Sequence, residues 1–122
     1  MTRAAAALIA GLLGAAAHAQ DKAAAGRGAL VFESHCVLCH GADGSGGGRA
    51  AKLYAPRPAN LTVSPFADDY KERIIRQGGT AVGRSALMPR WEDQLTDEEI
   101  KDVVVYLGTL VKRKNGRAAA GR

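Results

Sequence analysis

The chain of 122 residues is 47% hydrophobic, the size of one small domain with no room for a second core of ordinary size, which excludes a multidomain enzyme. Its formal net charge is +5, yet five cations (Lys112, Arg113, Lys114, Arg117 and Arg122) crowd the last eleven residues, while Gln20 to Val111 holds eleven cations and twelve anions. The basic balance therefore describes the tail, and nucleic-acid binding is not indicated. Only 5% of residues are aromatic (Phe32, Tyr54, Phe66, Tyr70, Trp91 and Tyr106), so something besides side chains is expected to fill part of the core.

Residues 1–19 read as a cleavable secretory signal peptide. Arg3 is a positive n-region, Ala4 to Ala17 an apolar stretch, and Ala17-His18-Ala19 a cleavage site before Gln20. The apolar run has fourteen residues, short of the ~20 that span a bilayer. No other segment is apolar enough to cross a membrane, so the mature chain is expected to be exported and soluble. The folded domain is assigned to residues 20–111 and a basic, flexible tail to residues 112–122.

Within the domain, Asp21 is placed to cap a helix from about Lys22 to Ser34, with Ala23, Ala24 and Ala25 as strong helix formers. Residues 41–48 (GADGSGGG) hold five glycines and form a loop, and Pro56 and Pro58 keep the next stretch extended. A loop this long is costly to order without a reason. Pro65 suits the first position of a short helix that ends near Gln77, where Gly78 and Gly79 supply a stop. A second irregular stretch runs from Gly78 to Trp91. Thr96-Asp97-Glu98-Glu99 is then a capping box, followed by one apolar stripe of Ile100, Val103, Val104, Leu107, Leu110 and Val111. No run alternates with the period of a strand, so the class is all-α with large loops.

The chemistry lies in Cys36-Val37-Leu38-Cys39-His40, the C-x-x-C-H signature of c-type haem attachment. Two cysteines three apart on a helical turn project to one side, where their sulfurs can add to two vinyl groups of one porphyrin, and His40 follows as the proximal iron ligand. Structural zinc would ask for four Cys or His ligands, and no second pair exists. A thioredoxin-type dithiol would ask for a βαβ setting. A plain disulfide leaves His40 and the glycine loop unexplained.

For the other axial position the candidates are few. Beyond the signal segment Met88 is the only methionine, and His35 the only other histidine. His35 shares the turn of Cys36 and cannot easily reach over the ring. Met88 stands 48 residues beyond His40 in a loop fixed by Pro89, and is expected on the distal side. Such a His/Met pair leaves no open coordination site and suits electron transfer at raised potential.

These residues resemble the class I c-type cytochromes, small single-haem electron carriers, over about Lys22 to Val111, and look most like the bacterial periplasmic branch. Gly28, Phe32 and Cys36 stand at the family's four-residue intervals, and Tyr106 looks like the aromatic that pairs the first helix with the last. The resemblance implies three to four short helices and long loops wrapped around one covalently bound haem c. It also implies a proline carbonyl that accepts a hydrogen bond from the proximal imidazole. Pro58 is the choice in Arg57-Pro58-Ala59-Asn60-Leu61, with Pro56 as the alternative, because the family often runs Pro-Asn-Leu without the intervening residue. Leu61 is expected to pack on the ring. Trp91 is expected either to reach a haem propionate with its indole N–H or to be a core residue.

The cations of the two loops, Arg49, Lys52 and Arg57 in one and Arg76, Arg84 and Arg90 in the other, are opposed by Asp43 alone and suggest a basic haem edge. The expected function is a periplasmic one-electron shuttle, not itself an enzyme and monomeric. It would run between a quinol-oxidising complex or dehydrogenase and a terminal oxidase or reductase, docking donor and acceptor proteins at that edge. Two alternatives stay open: a dedicated cytochrome subunit of one periplasmic dehydrogenase, or a haem ligand sensor or peroxidase should Met88 not bind the iron.

Overall fold

The computed structural model describes residues 2–111; the expected basic tail, residues 112–122, lies outside the described residues. Four α-helices occur among them and no strands: α1 (Thr2–His35), α2 (Val37–His40), α3 (Asp68–Gln77) and α4 (Asp97–Leu110). Three short 3₁₀ turns, Ala51–Leu53, Leu61–Val63 and Gly79–Val82, punctuate the loops between them. The all-α class expected from the sequence holds, but α1 is far longer than the short helix expected there.

That helix does not start at Asp21. It runs unbroken through 34 residues, with Asp21 in its interior. The alanine-rich stretch before Asp21 has the highest helix propensity of any residue type, so a good capping residue placed inside it ends nothing. No helix among the described residues is long and apolar enough to cross a membrane.

The packing that organises the fold is the crossing of α1 with α4 around Gly28. A β-carbon at Gly28 would lie 2.0 Å from the Asp102 carbonyl oxygen and 2.9 Å from Tyr106 Cβ, so the two backbones touch there. One turn on, Phe32 meets Tyr106 with ring centroids 5.3 Å apart. The close approach at Tyr106 falls on the aromatic expected to pair the first helix with the last; the other partner is the Asp102 backbone, while Val103 is buried in the core. Beside Gly28, the carboxylate of buried Asp102 accepts from Arg27 Nε at 2.6 Å and Arg27 Nη2 at 2.9 Å. The crossing is thus fastened by a two-pronged ion pair at its edge.

The start of α4 is the capping box read from the sequence. Thr96 Oγ1 accepts from the Glu99 backbone N–H at 3.2 Å, and the Glu99 carboxylate accepts from the Thr96 N–H at 2.8 Å. Its stripe supplies Ile100, Val103, Val104 and Leu107 to a core completed by Phe32, Ile75 and Leu95. Helix α3 ends at Gln77 as expected, on Gly78 with φ of 82°. Its start is three residues later than Pro65, on Ala67 as cap, with Asp68 and Asp69 in the first turn, where carboxylates favour the positive end of the helix dipole.

Candidate functional site

The core opens on one side into a cavity of about 710 Å³ lined by every helix of the fold. Phe32, Ile75, Val103 and Leu107 form its floor, the 54–66 stretch one wall and the 84–91 loop another. Protein interiors hold few voids larger than a water molecule, so an apolar cavity of this size is a binding site and not a packing fault.

Cys36, Cys39, His40 and Met88 all line it. The first three are delivered by the break between α1 and α2: Cys36 caps α2, and His40 N–H donates to the Cys36 carbonyl at 2.9 Å, closing the turn that sets the two sulfurs and the imidazole on one side. Both thiols are free. Burial, with a smaller contribution from neighbouring Cys39, pushes the Cys36 thiol up to about 12, a measure of how apolar this wall is. Burial likewise holds the His40 imidazole below its ordinary value, against the opposing pull of a hydrogen bond to the Ala59 carbonyl.

That hydrogen bond corrects one expectation. His40 Nδ1 lies 3.1 Å from the carbonyl oxygen of Ala59, not that of Pro58 or Pro56. The extra residue between Pro58 and Asn60 puts Ala59 directly before Asn60-Leu61, and it is this place, not the proline ring, that meets the imidazole. With Nδ1–H donated to Ala59, Nε2 keeps its lone pair and the ring its orientation. Pro58 and Leu61 line the cavity beside it, and so does Pro56.

The glycine loop also gains its reason. Gly46 N–H donates to the His40 carbonyl at 2.8 Å, Gly48 N–H to Cys39 at 3.1 Å and Ala50 N–H to Leu38 at 3.0 Å, while Gly44 accepts from Leu61 N–H at 2.7 Å. The loop is a backbone zipper between the C-x-x-C-H turn and the wall that carries Ala59. A β-carbon at Gly48 would stand 2.4 Å from the Leu38 carbonyl oxygen, so only a residue without one fits.

On the other wall, Met88 is held at both ends of its peptide unit: its N–H donates to the Ser85 carbonyl at 3.2 Å and its carbonyl accepts from Gly79 N–H at 2.9 Å. Trp91 lines the cavity half-buried, with its ring edge-on to that of His35 at 5.2 Å, and its backbone N–H donates to the Ile75 carbonyl at 3.0 Å, tying the loop back to α3.

Three cations, Arg57, Lys71 and Arg84, also line the cavity. Lys71 was not singled out by the sequence, since a lysine within a polar helix gives no sign that the helix faces a cavity. The basic edge is thinner than the sequence suggests. Arg76 is bound to Glu72 and Asp97, and Arg90 to Glu92 and Asp93, so these two cations are locally neutralised.

Two thiols, an imidazole and a thioether around one apolar cavity fit a porphyrin held by its edge and its iron. Among the described residues no three His, Cys, Asp or Glu side chains gather to hold a metal on their own. The fold and these residues are those of a c-type cytochrome. Residues 23–107 match the family model described as cytochrome c oxidase, cbb3-type, subunit III, and the chain belongs to that family. It is 32% identical over 87 residues to the cbb3-type cytochrome c oxidase subunit CcoP of Cereibacter sphaeroides, covering 71% of this chain and 28% of that protein. It is 33% identical over 90 residues to FixP of Azorhizobium caulinodans, covering 74% and 28% respectively. It is also 38% identical over 74 residues to cytochrome c-554(548) of Halomonas halodenitrificans, covering 58% of this chain and 78% of that protein. The chain thus spans under a third of the length of the oxidase subunits it matches, and most of that of the small cytochrome. Membership of this family implies a haem c.

Proposed function

We propose that the chain is a periplasmic one-electron carrier with a single haem c, joined through Cys36 and Cys39 and ligated by His40 and Met88. The observation that carries this reading is the convergence of four donors, spread over 52 residues from Cys36 to Met88, on one cavity floored by apolar side chains. The group supplies a one-electron change at its iron. Cys36 and Cys39, both free thiols on one side of the turn, would hold the group covalently through their sulfurs. His40, oriented by Ala59, presents Nε2; Met88, fixed by Gly79 and Ser85, presents sulfur from the opposite loop. His40 and Met88 would together hold the iron of such a group and leave small molecules no open site, which favours a carrier over a ligand sensor or peroxidase. Rigid backbone on both walls limits reorganisation between oxidation states.

Donor and acceptor meet the carrier at the cavity mouth, where Arg57 and Arg84 stand beside exposed Leu38, Val63 and Leu87. The donor is a quinol-oxidising complex or dehydrogenase and the acceptor a terminal oxidase or reductase; kinship with oxidase subunits favours the oxidase. The test is the absorption spectrum of the exported protein, oxidised and reduced, with and without carbon monoxide. A methionine-to-ferric-iron charge-transfer band and a reduced spectrum indifferent to carbon monoxide are expected. Ready carbon monoxide binding without that band overturns the carrier reading in favour of ligand sensing or peroxide chemistry.

A further inference from the structure

Between Gly78 and Met88 the chain carries one charged residue, Arg84, and it reaches across to an aromatic pair outside its own loop. Its guanidinium carbon lies 5.3 Å from the centroid of Phe66, and its Nε donates to the Tyr70 hydroxyl at 3.3 Å. Phe66 and Tyr70 are stacked on each other, 4.3 Å between centroids and 21° between planes, at the start of α3. All three line the cavity with Met88.

The backbone couples this contact to Met88. Gly79 donates to the Met88 carbonyl at 2.9 Å and accepts from the Arg84 N–H at 2.8 Å, so both residues hang on one glycine. Gly83, just before Arg84, adopts φ of 70° with nothing within 4 Å of where a side chain would begin, and Thr80, Ala81, Ala86 and Leu87 are exposed. Much of the far end of the loop is therefore exposed, and Arg84 is the side chain there that reaches back to α3 through Tyr70.

We propose that Arg84, through its stack on Phe66 and its hydrogen bond to Tyr70, is the latch that sets how readily the Met88 loop swings its thioether away from the iron. Arg84 is a positioning residue that acts through Gly79, and the proposal rests on Met88 being an iron ligand. A cation over an aromatic face and one hydrogen bond at an exposed site together bias the loop about tenfold toward the closed form. An outside ligand binds only the open form, so its apparent affinity rises in proportion to that form's population.

The test is an imidazole titration of the oxidised holoprotein, followed by loss of the methionine-to-iron charge-transfer band, with amide hydrogen exchange at Arg84 and Met88 as a second readout. Arg84→Ala is expected to bind imidazole about tenfold more tightly than the wild type and to exchange both amides faster by a similar factor. Arg84→Lys, which keeps a cation over Phe66 but loses the planar Nε donor, falls between them. Tyr70→Phe shifts both readouts the same way by a smaller factor and carries the test should Arg84→Ala not fold. Lys101→Ala, which removes the same charge from the exposed side of α4, leaves both unchanged. Titration of Arg84→Ala and Tyr70→Phe at the wild-type affinity overturns the latch, and so does an equal shift in Lys101→Ala, which would mark a general effect of charge. A wild type lacking the band at the outset is a different failure, that of Met88 as ligand, and removes the latch with it.

Discussion

Gly28 and Asp102 meet backbone to backbone: a β-carbon on the first would sit 2.0 Å from the carbonyl oxygen of the second and 2.5 Å from its carbonyl carbon. Neither atom belongs to a flexible side chain, so the strain cannot be relieved by a rotamer change. Gly28→Ala is expected to force α1 and α4 apart and cost about 3 kcal/mol or more, at the upper end of overpacking in a close-packed core. A holoprotein melting curve for Gly28→Ala within a degree of the wild type would show that the helices part more easily than this contact allows.

The same crossing holds a carboxylate with little access to water. The Asp102 side chain is 7% exposed and takes both of its bonds from Arg27, whose own side chain is 53% exposed. The two partners are therefore unequal. Removing Arg27 strands a buried charge, whereas Asp102→Asn leaves a cation that water can solvate. Thermal melting is expected to rank wild type above Asp102→Asn and both above Arg27→Ala, with the double variant recovering part of what Arg27→Ala loses. An Asp102→Asn variant that melts below Arg27→Ala contradicts this asymmetry.

The parts of the molecule written in local chemistry could be read from the sequence. Thr96 and Glu99 form their box because the pattern needs four consecutive residues and nothing else, and the stripe from Ile100 to Leu107 faces inward because helical period alone decides it. Cys36, Cys39 and His40 are legible for the same reason. What failed depends on residues distant in sequence. Ala59 rather than Pro58 meets His40 because the glycine loop fixes the height of the wall, and Arg76 loses its free charge to Asp97, 21 residues away. The first helix passes through Asp21 because the sequence before it is itself helix-forming, and Pro65 stays outside α3 while Phe66 stacks on Tyr70.

Acid should loosen α4 from its first turn. Hydrogen bonds from Thr96, backbone first and hydroxyl second, hold the Glu99 carboxyl below its ordinary value, and the Arg76 guanidinium does the same for Asp97. Both groups have folded-state values below their unfolded ones, so their contribution is complete above the ordinary carboxylate range and disappears as pH falls through the depressed values. The wild type is expected to lose stability between about pH 5 and pH 2 more steeply than Glu99→Gln, while the two curves run parallel above pH 6. Equal acid limbs in the two proteins would remove the capping box from the pH dependence.

The proposed docking face separates cations of two kinds. Arg57 is exposed at the cavity mouth, whereas Arg90 is spent on Glu92 and Asp93 at 2.7 and 3.2 Å. Long-range steering acts through net field within a Debye length of about 8 Å at physiological salt, where a paired cation contributes little. Arg57→Ala is expected to slow bimolecular electron transfer with an acidic redox partner several-fold at low salt and to flatten its salt dependence. Arg90→Ala should change neither beyond a slight slowing from the two acids it releases. Stopped-flow rates against ionic strength read both, and a larger effect at Arg90 than at Arg57 would place the docking face elsewhere.

At Gly48 the fold meets the cofactor chemistry most directly. A β-carbon there would press on the Leu38 oxygen at 2.4 Å and the Cys39 oxygen at 2.6 Å, the two peptides that set where the Cys39 sulfur and the His40 ring point. Gly48→Ala therefore has two ways to relax, by opening the zipper to Leu38 and Cys39 or by rotating the turn that carries the ligands. The first costs about 1 kcal/mol for each backbone hydrogen bond lost and leaves the site as it was. The second tilts the imidazole from Ala59 and lowers the donor strength that this bond confers on Nε2. Since the turn is also closed from within by His40 N–H on the Cys36 carbonyl at 2.9 Å, the zipper is the weaker side. Gly48→Ala is expected to melt lower by several degrees with a nearly unchanged reduction potential, and a potential that moves without loss of stability would show that the turn, not the loop, gives way.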